Sequence, residues 1–165
     1  MAGSVGISVA PYSCRSDLYK QPETAETMHF HFSESTSDGP RMTAVVLVVD
    51  DNDHLRATLA QILQARGYAT VEAATGSEAV AKTSSTRPDL ILMDFDLPDM
   101  TGADATRIIK NDPGTGMIPI IGCSALSGSE FRHAALEAGM VEYLVKPLSE
   151  ERIIAKIAQF IVSER

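Results

Sequence analysis

The sequence predicts an α/β fold: a doubly wound, five-stranded parallel sheet with helices on both faces. Five short β-rich runs recur roughly 20 to 30 residues apart, with amphipathic helical text between them. Two of these runs, Val45–Val49 and Leu90–Met93, are continuously apolar, as strands covered on both faces must be. Residues that start and stop helices fall in the gaps.

The elements follow in order. After Val45–Val49, residues Leu55, Leu59, Ile62 and Leu63 stand at i, i+4, i+7 and i+8, one face of a helix. Gly67 follows that helix, where a left-handed cap is wanted. The second strand is Ala69–Ala73, and Thr75 then offers a hydroxyl N-cap. Pro88 stops the second helix ahead of the third strand, Leu90–Met93. The fourth strand is expected over Ile118–Cys123. Phe131, Ala134, Ala135 and Ala138 stripe the helix after it, and Gly139 ends that helix. The fifth strand is Val141–Val145. Ser149 caps a last helix striped by Ile153, Ile154, Ile157, Phe160 and Ile161. These stripes are core contacts and need no functional reading.

At 165 residues, length favours one domain with a sizeable core. Residues 1–42 are polar and aperiodic and are expected to be a disordered extension; residues 43–165 form the domain. Met42 directly precedes the first strand and is expected to be the natural start. His29 and His31 alternate with Phe30 and Phe32 in that tail and are read as solvated, not as metal ligands. Fourteen Lys and Arg against 22 Asp and Glu give a net charge of −8, which argues against a nucleic-acid surface. Two cysteines, Cys14 and Cys123, make no disulfide framework. No apolar run is long enough to span a bilayer, and no secretory leader is legible. No membrane association and a cytoplasmic location are therefore expected.

The chemistry gathers at the strand ends. Strand one runs into Asp50-Asp51, strand three into Asp94, strand four into Ser124, and strand five into Lys146-Pro147. In an open parallel sheet all strand C-termini lie on one edge, where ligands bind. Carboxylates crowded there repel one another, and a hard divalent cation resolves the conflict. An oxygen-only donor set favours Mg2+ or Mn2+ over zinc. Cation, ammonium and hydroxyl together stabilise a phosphoryl group in transfer. A carboxylate can itself be the nucleophile, and Asp94, on the central strand, is the candidate.

The runs Val46–Asn52, Asp94–Gly102, Ser124-Ala125 and Tyr143–Pro147 resemble the receiver domain of bacterial two-component response regulators, over about residues 43–163. The resemblance implies a flavodoxin-like sheet of strand order 2-1-3-4-5. It implies that Asp94 accepts a phosphoryl group from a histidine kinase or a histidine phosphotransfer protein. Asp51 would bind Mg2+ directly, Asp50 mainly through water, and the Asp96 backbone carbonyl would be a further ligand beside Asp94. Lys146 and Ser124 would hold the phosphoryl oxygens. Ser124 and Tyr143 would form the switch, presenting the face of helix four, strand five and helix five to a downstream protein or to onward phosphorelay. Asp96 departs from the neutral residue common two places after the acceptor, which leaves the dephosphorylation rate open. Leu126 is expected to shield the acyl phosphate.

Two other functions share parts of this pattern. Asp94-Phe95-Asp96 also resembles the nucleophile-and-acid pair of haloacid-dehalogenase phosphatases, but that family carries the motif on its first strand and its acidic pair late. A phosphorylation-independent pseudo-receiver usually lacks the acidic pair, the acceptor or the lysine, all present here. Cys123 is read as a small buried hydrophobe, and His54 and His133 as surface residues. The chain is thus expected to be a signalling domain that acts through a partner, not a turnover enzyme.

Overall fold

A computed structural model describes residues 43–161. The expectations for residues 1–42, including Cys14, His29, His31 and Met42, lie outside the described residues. Five strands alternate with five helices: β1 (Val45–Val49), α1 (Asp53–Ala65), β2 (Ala69–Ala73), α2 (Gly76–Thr86), β3 (Leu90–Asp94), α3 (Gly102–Asn111), β4 (Ile120–Ser124), α4 (Ser129–Glu137), β5 (Glu142–Val145) and α5 (Glu150–Ile161). The strands form one parallel sheet in the order β2-β1-β3-β4-β5. That is the expected order, with β3 at the centre.

Strand alternation divides the core in two. Leu47, Val49, Ile91 and Met93 face one side and pack with Ala79 of α2, Ala105 and Ile109 of α3, and Ala135 of α4. Val46, Val48, Leu90 and Leu92 face the other and pack with Leu59 and Leu63 of α1 and Ile153 and Ile157 of α5. Each such aliphatic side chain, fully buried, contributes roughly 1.5–3 kcal/mol against conformational entropy. The continuous apolar runs in β1 and β3 are therefore the signature of a sheet with helices on both faces.

The caps formed largely as expected. Thr75 Oγ1 accepts from the Glu78 N–H at 3.1 Å, and Ser149 Oγ accepts from the Arg152 N–H at 3.3 Å. Gly67 and Gly139 have φ of 86° and 105°, which an L side chain resists. Helix α2 ends at Thr86, and Arg87, held out of the α region by Pro88, takes a left-handed φ of 45°.

One boundary needs correction. The fourth strand begins at Ile120, not Ile118. Pro119 has no N–H to give to the ladder, and the Ile118 N–H instead closes a turn onto the Thr115 carbonyl at 3.0 Å. The Pro119 carbonyl still accepts from Ile91, so the run stays in place beside β3. Smaller shifts move β3 to include Asp94 and start β5 at Glu142.

Candidate functional site

Parallel topology delivers the ends of β1, β3, β4 and β5 to one edge, and the side chains there converge. Carboxylate oxygens of Asp50, Asp51 and Asp94 lie within 4.8 Å of one another, with Asp50 and Asp94 buried and Asp51 exposed. Lys146 arrives from the end of β5. Its Nζ bridges Asp50 Oδ2 at 2.7 Å and Asp94 Oδ2 at 2.8 Å. These contacts join residues 96 and 52 positions apart in sequence.

Local structure holds each group. Asp50 Oδ1 accepts from the Asn52 N–H at 2.9 Å, while the Asn52 side chain caps α1 through the Leu55 N–H. Arg56, one turn into α1, donates to the Asp50 carbonyl at 2.7 Å. Asp94 Oδ1 accepts from its neighbour, the Phe95 N–H, at 2.7 Å, with the Asp96 N–H farther off at 3.5 Å. The Lys146 N–H donates to the Ser124 carbonyl at 2.7 Å, so β5 leaves the sheet in register with β4. The turn after β3 is tight: a Cβ on Gly102 would collide with the Asp94 carbonyl oxygen and crowd Phe95 Cα, so only glycine fits.

Electrostatics follow from burial and pairing. Burial pushes the Asp94 carboxyl above its ordinary range, and the Lys146 ammonium only partly offsets this. Burial also works against the charge on Lys146, but its two carboxylate partners outweigh it and raise its pKa. One ammonium among three carboxylates leaves an excess of negative charge. Among the described residues the cluster offers only carboxylate oxygens, so its chemistry fits a hard divalent cation.

The remaining expected residues sit as follows. Ser124 ends β4 and is buried; its Oγ accepts from the Leu126 N–H at 3.1 Å, not from any group on Asp94. Asp96 is exposed, two residues beyond Asp94, in a loop closed by a bridge to Thr101. Tyr143 is buried and its hydroxyl donates to the Leu126 carbonyl at 2.8 Å. Leu126 joins two of these residues through its backbone, its N–H to Ser124 and its C=O to Tyr143. A backbone role leaves no sequence signal. Cys123 is buried, and burial pushes its thiol up to about 12, so it is inert. His54 and His133 are exposed, as expected.

The family model for the response regulator receiver domain matches residues 46–158, a span that contains every group of this cluster. The chain belongs to the response regulator receiver family. The receiver is 32% identical over 120 residues to the polar-differentiation response regulator DivK of Brucella ovis, covering 73% of this chain and 98% of that one. It is 31% identical over 164 residues to the CAI-1 autoinducer sensor kinase/phosphatase CqsS of Vibrio cholerae. That alignment covers 94% of this chain, reaching into residues 1–42, but only 24% of CqsS. Among solved structures, the chemotaxis protein CheY4 of Vibrio cholerae superposes with a TM-score of 0.69 at 30% identity, over 72% of this chain and 98% of that one. The receiver domain of sensor histidine kinase PA1611 from Pseudomonas aeruginosa, solved with magnesium coordinated in its active-site cleft, gives 0.69 at 32% identity, over 73% and 98%. Among the described residues no helix is long and apolar enough to cross a membrane.

Proposed function

We propose that this receiver accepts a phosphoryl group on Asp94 from a phosphohistidine of a histidine kinase or histidine phosphotransfer protein. The observation that carries this reading is the Lys146 ammonium set between Asp50 and Asp94 beside an exposed Asp51. An oxygen of Asp94 attacks phosphorus, the P–N bond breaks, and its electron pair returns to the donor imidazole. Lys146 neutralises charge on the phosphoryl oxygens, and the Ser124 O–H donates to one of them. Asp50, Asp51 and Asp94, with the Asp96 carbonyl, would hold Mg2+ or Mn2+. The ion supplies charge neutralisation and a template for the in-line geometry. The neighbouring apolar cavity of about 450 Å³, lined by Leu55, Leu59, Ile62 and Leu148 with Lys146 at its edge, supports docking of the donor protein next to Asp94.

The output is a change on the α4, β5 and α5 face, read by a protein partner or passed on by phosphorelay, in the cytoplasm. The alignment with CqsS favours one variant, in which the receiver serves a sensor kinase rather than a diffusible pathway. The phosphatase alternative loses its support, because the family model matches the receiver domain and Asp94-Phe95-Asp96 begins at the end of β3, the third strand in chain order and not the first. The test is incubation with acetyl phosphate and Mg2+, read by intact mass. One phosphoryl group should add to the wild type and none to Asp94→Asn; equal labelling of both overturns the assignment.

A further inference from the structure

Asp94 ends β3 and Tyr143 lies in β5, with β4 between them in the sheet. One side chain spans that gap. Phe95 follows Asp94 directly, is 8% exposed, and gives its N–H to Asp94 Oδ1. Its ring meets Tyr143 edge to face, centroids 6.1 Å apart and planes at 87°. The same ring meets Phe131 of α4 at 5.8 Å and 77°. Its main chain has little room to shift: the Phe95 carbonyl accepts from Gly102 at 2.8 Å, and Gly102 packs against the Asp94 carbonyl with no space for a side chain. Edge-to-face contacts between aromatic quadrupoles are directional, as aliphatic packing is not. The orientation of Tyr143 is therefore coupled to a ring whose backbone is bonded to the Asp94 carboxylate.

Tyr143 is then held from two sides. The chain Ser124–Leu126 fixes its hydroxyl, and Phe95 fixes its ring. We infer that Phe95 is a positioning residue that ties Tyr143 and α4 to the state of Asp94, its ring holding Tyr143 inward and passing the constraint to Phe131. This rests on Asp94 being the phosphoacceptor. It adds an aromatic route from the acyl phosphate to the partner face, independent of the Ser124 hydroxyl.

The test uses the full chain labelled with 3-fluorotyrosine, the Tyr143 resonance being assigned by its loss in Tyr143→Phe. Spectra are taken with and without beryllofluoride and Mg2+, and loading is followed by the bound fluoride signals. Wild type should load and its Tyr143 resonance should move. Phe95→Leu keeps apolar bulk without the ring. It should load at a beryllofluoride concentration within about threefold of wild type, yet its loading-induced Tyr143 change should fall about fivefold. Phe95→Tyr, which keeps a ring, should restore the change. A simple packing role would offset the Tyr143 resonance but leave the loading-induced change intact, and that result overturns the inference. A wild type that loads without moving Tyr143 overturns it too. A wild type that never loads sinks the phosphoacceptor reading and this inference with it. If Phe95→Leu does not fold, Phe131→Leu decides. Its loading-induced change in α4 amide exchange should fall about fivefold, and an unchanged α4 response refutes the aromatic route.

Discussion

The Tyr143 hydroxyl donates to the Leu126 carbonyl at 2.8 Å, and the N–H of that same Leu126 donates to Ser124 Oγ at 3.1 Å. One residue of the β4–α4 loop thus joins the hydroxyl at the end of β4 to the aromatic on the edge strand, β5. On the proposed reading, a shift of Ser124 toward a phosphoryl oxygen would pull on the group that holds Tyr143.

Ser124→Ala should keep most phosphoryl uptake from acetyl phosphate while weakening the readout. It leaves the Leu126 N–H without its acceptor, costing about 1–2 kcal/mol of stability. Intact mass reads the uptake, urea unfolding reads the stability, and binding of the loaded protein to a captured partner reads the switch. Partner affinity equal to wild type would count against Ser124 as a switch residue.

Lys146→Met should remove the ammonium that lies 2.7 Å from Asp50 and 2.8 Å from Asp94. Two buried carboxylates then face each other and Asp51 without a cation. We expect a loss of about 2 kcal/mol at neutral pH, moderated because Lys146 keeps some contact with solvent. Millimolar Mg2+ should recover part of that loss and stabilise the variant more than wild type. Urea midpoints with and without Mg2+ check this; a variant indifferent to Mg2+ speaks against the cluster as a cation site.

Asp99 predicts the acid limb. Its carboxylate accepts from Ser77, through side chain and backbone, and from the Gly76 N–H, which lowers its pKa to about 2. This clasp ties the loop after β3 to the start of α2. A depressed acid contributes stability that is whole above the ordinary carboxylate pKa of about 4 and lost as pH falls toward 2. Asp94, raised by burial, has the opposite sign, since its protonation relieves the folded state. The stability gap between wild type and Asp99→Asn should therefore narrow between about pH 5 and about pH 2.5. A gap that is constant over that range refutes the clasp.

Deleting residues 1–41 should leave the fold intact. Among the described residues the five strands of the sheet run from Val45 onward, and the Val45 N–H is already held by the Asp89 carboxylate at 2.6 Å. A thermal melt followed by circular dichroism should stay cooperative, with Tm within about 3 °C of the full chain. Loss of the transition would show that the extension belongs to the domain.

Periodicity and strand-end residues made the fold and the members of the site legible before any coordinates. Apolar runs of period two or none, and stripes of period 3.6, depend on neighbours a few positions away. The topological rule then collects strand ends on one edge without knowing their contacts. Pro119 is hidden inside an apolar run, because hydropathy does not register a missing N–H.

What only the tertiary structure decided is which atoms meet. Lys146 chooses Asp50 and Asp94 while Asp51 stays open to solvent. Tyr143 points inward onto Leu126, Phe95 meets Tyr143 and Phe131 edge to face, and Asp99 clasps α2. Each of these depends on rotamers set by packing between segments distant in sequence, and on backbone groups that every residue carries alike. The order of residues specifies the elements and the chemical groups they bring. The packed sheet alone specifies their ångström-scale pairing, because only there do the strand ends share one low-dielectric volume.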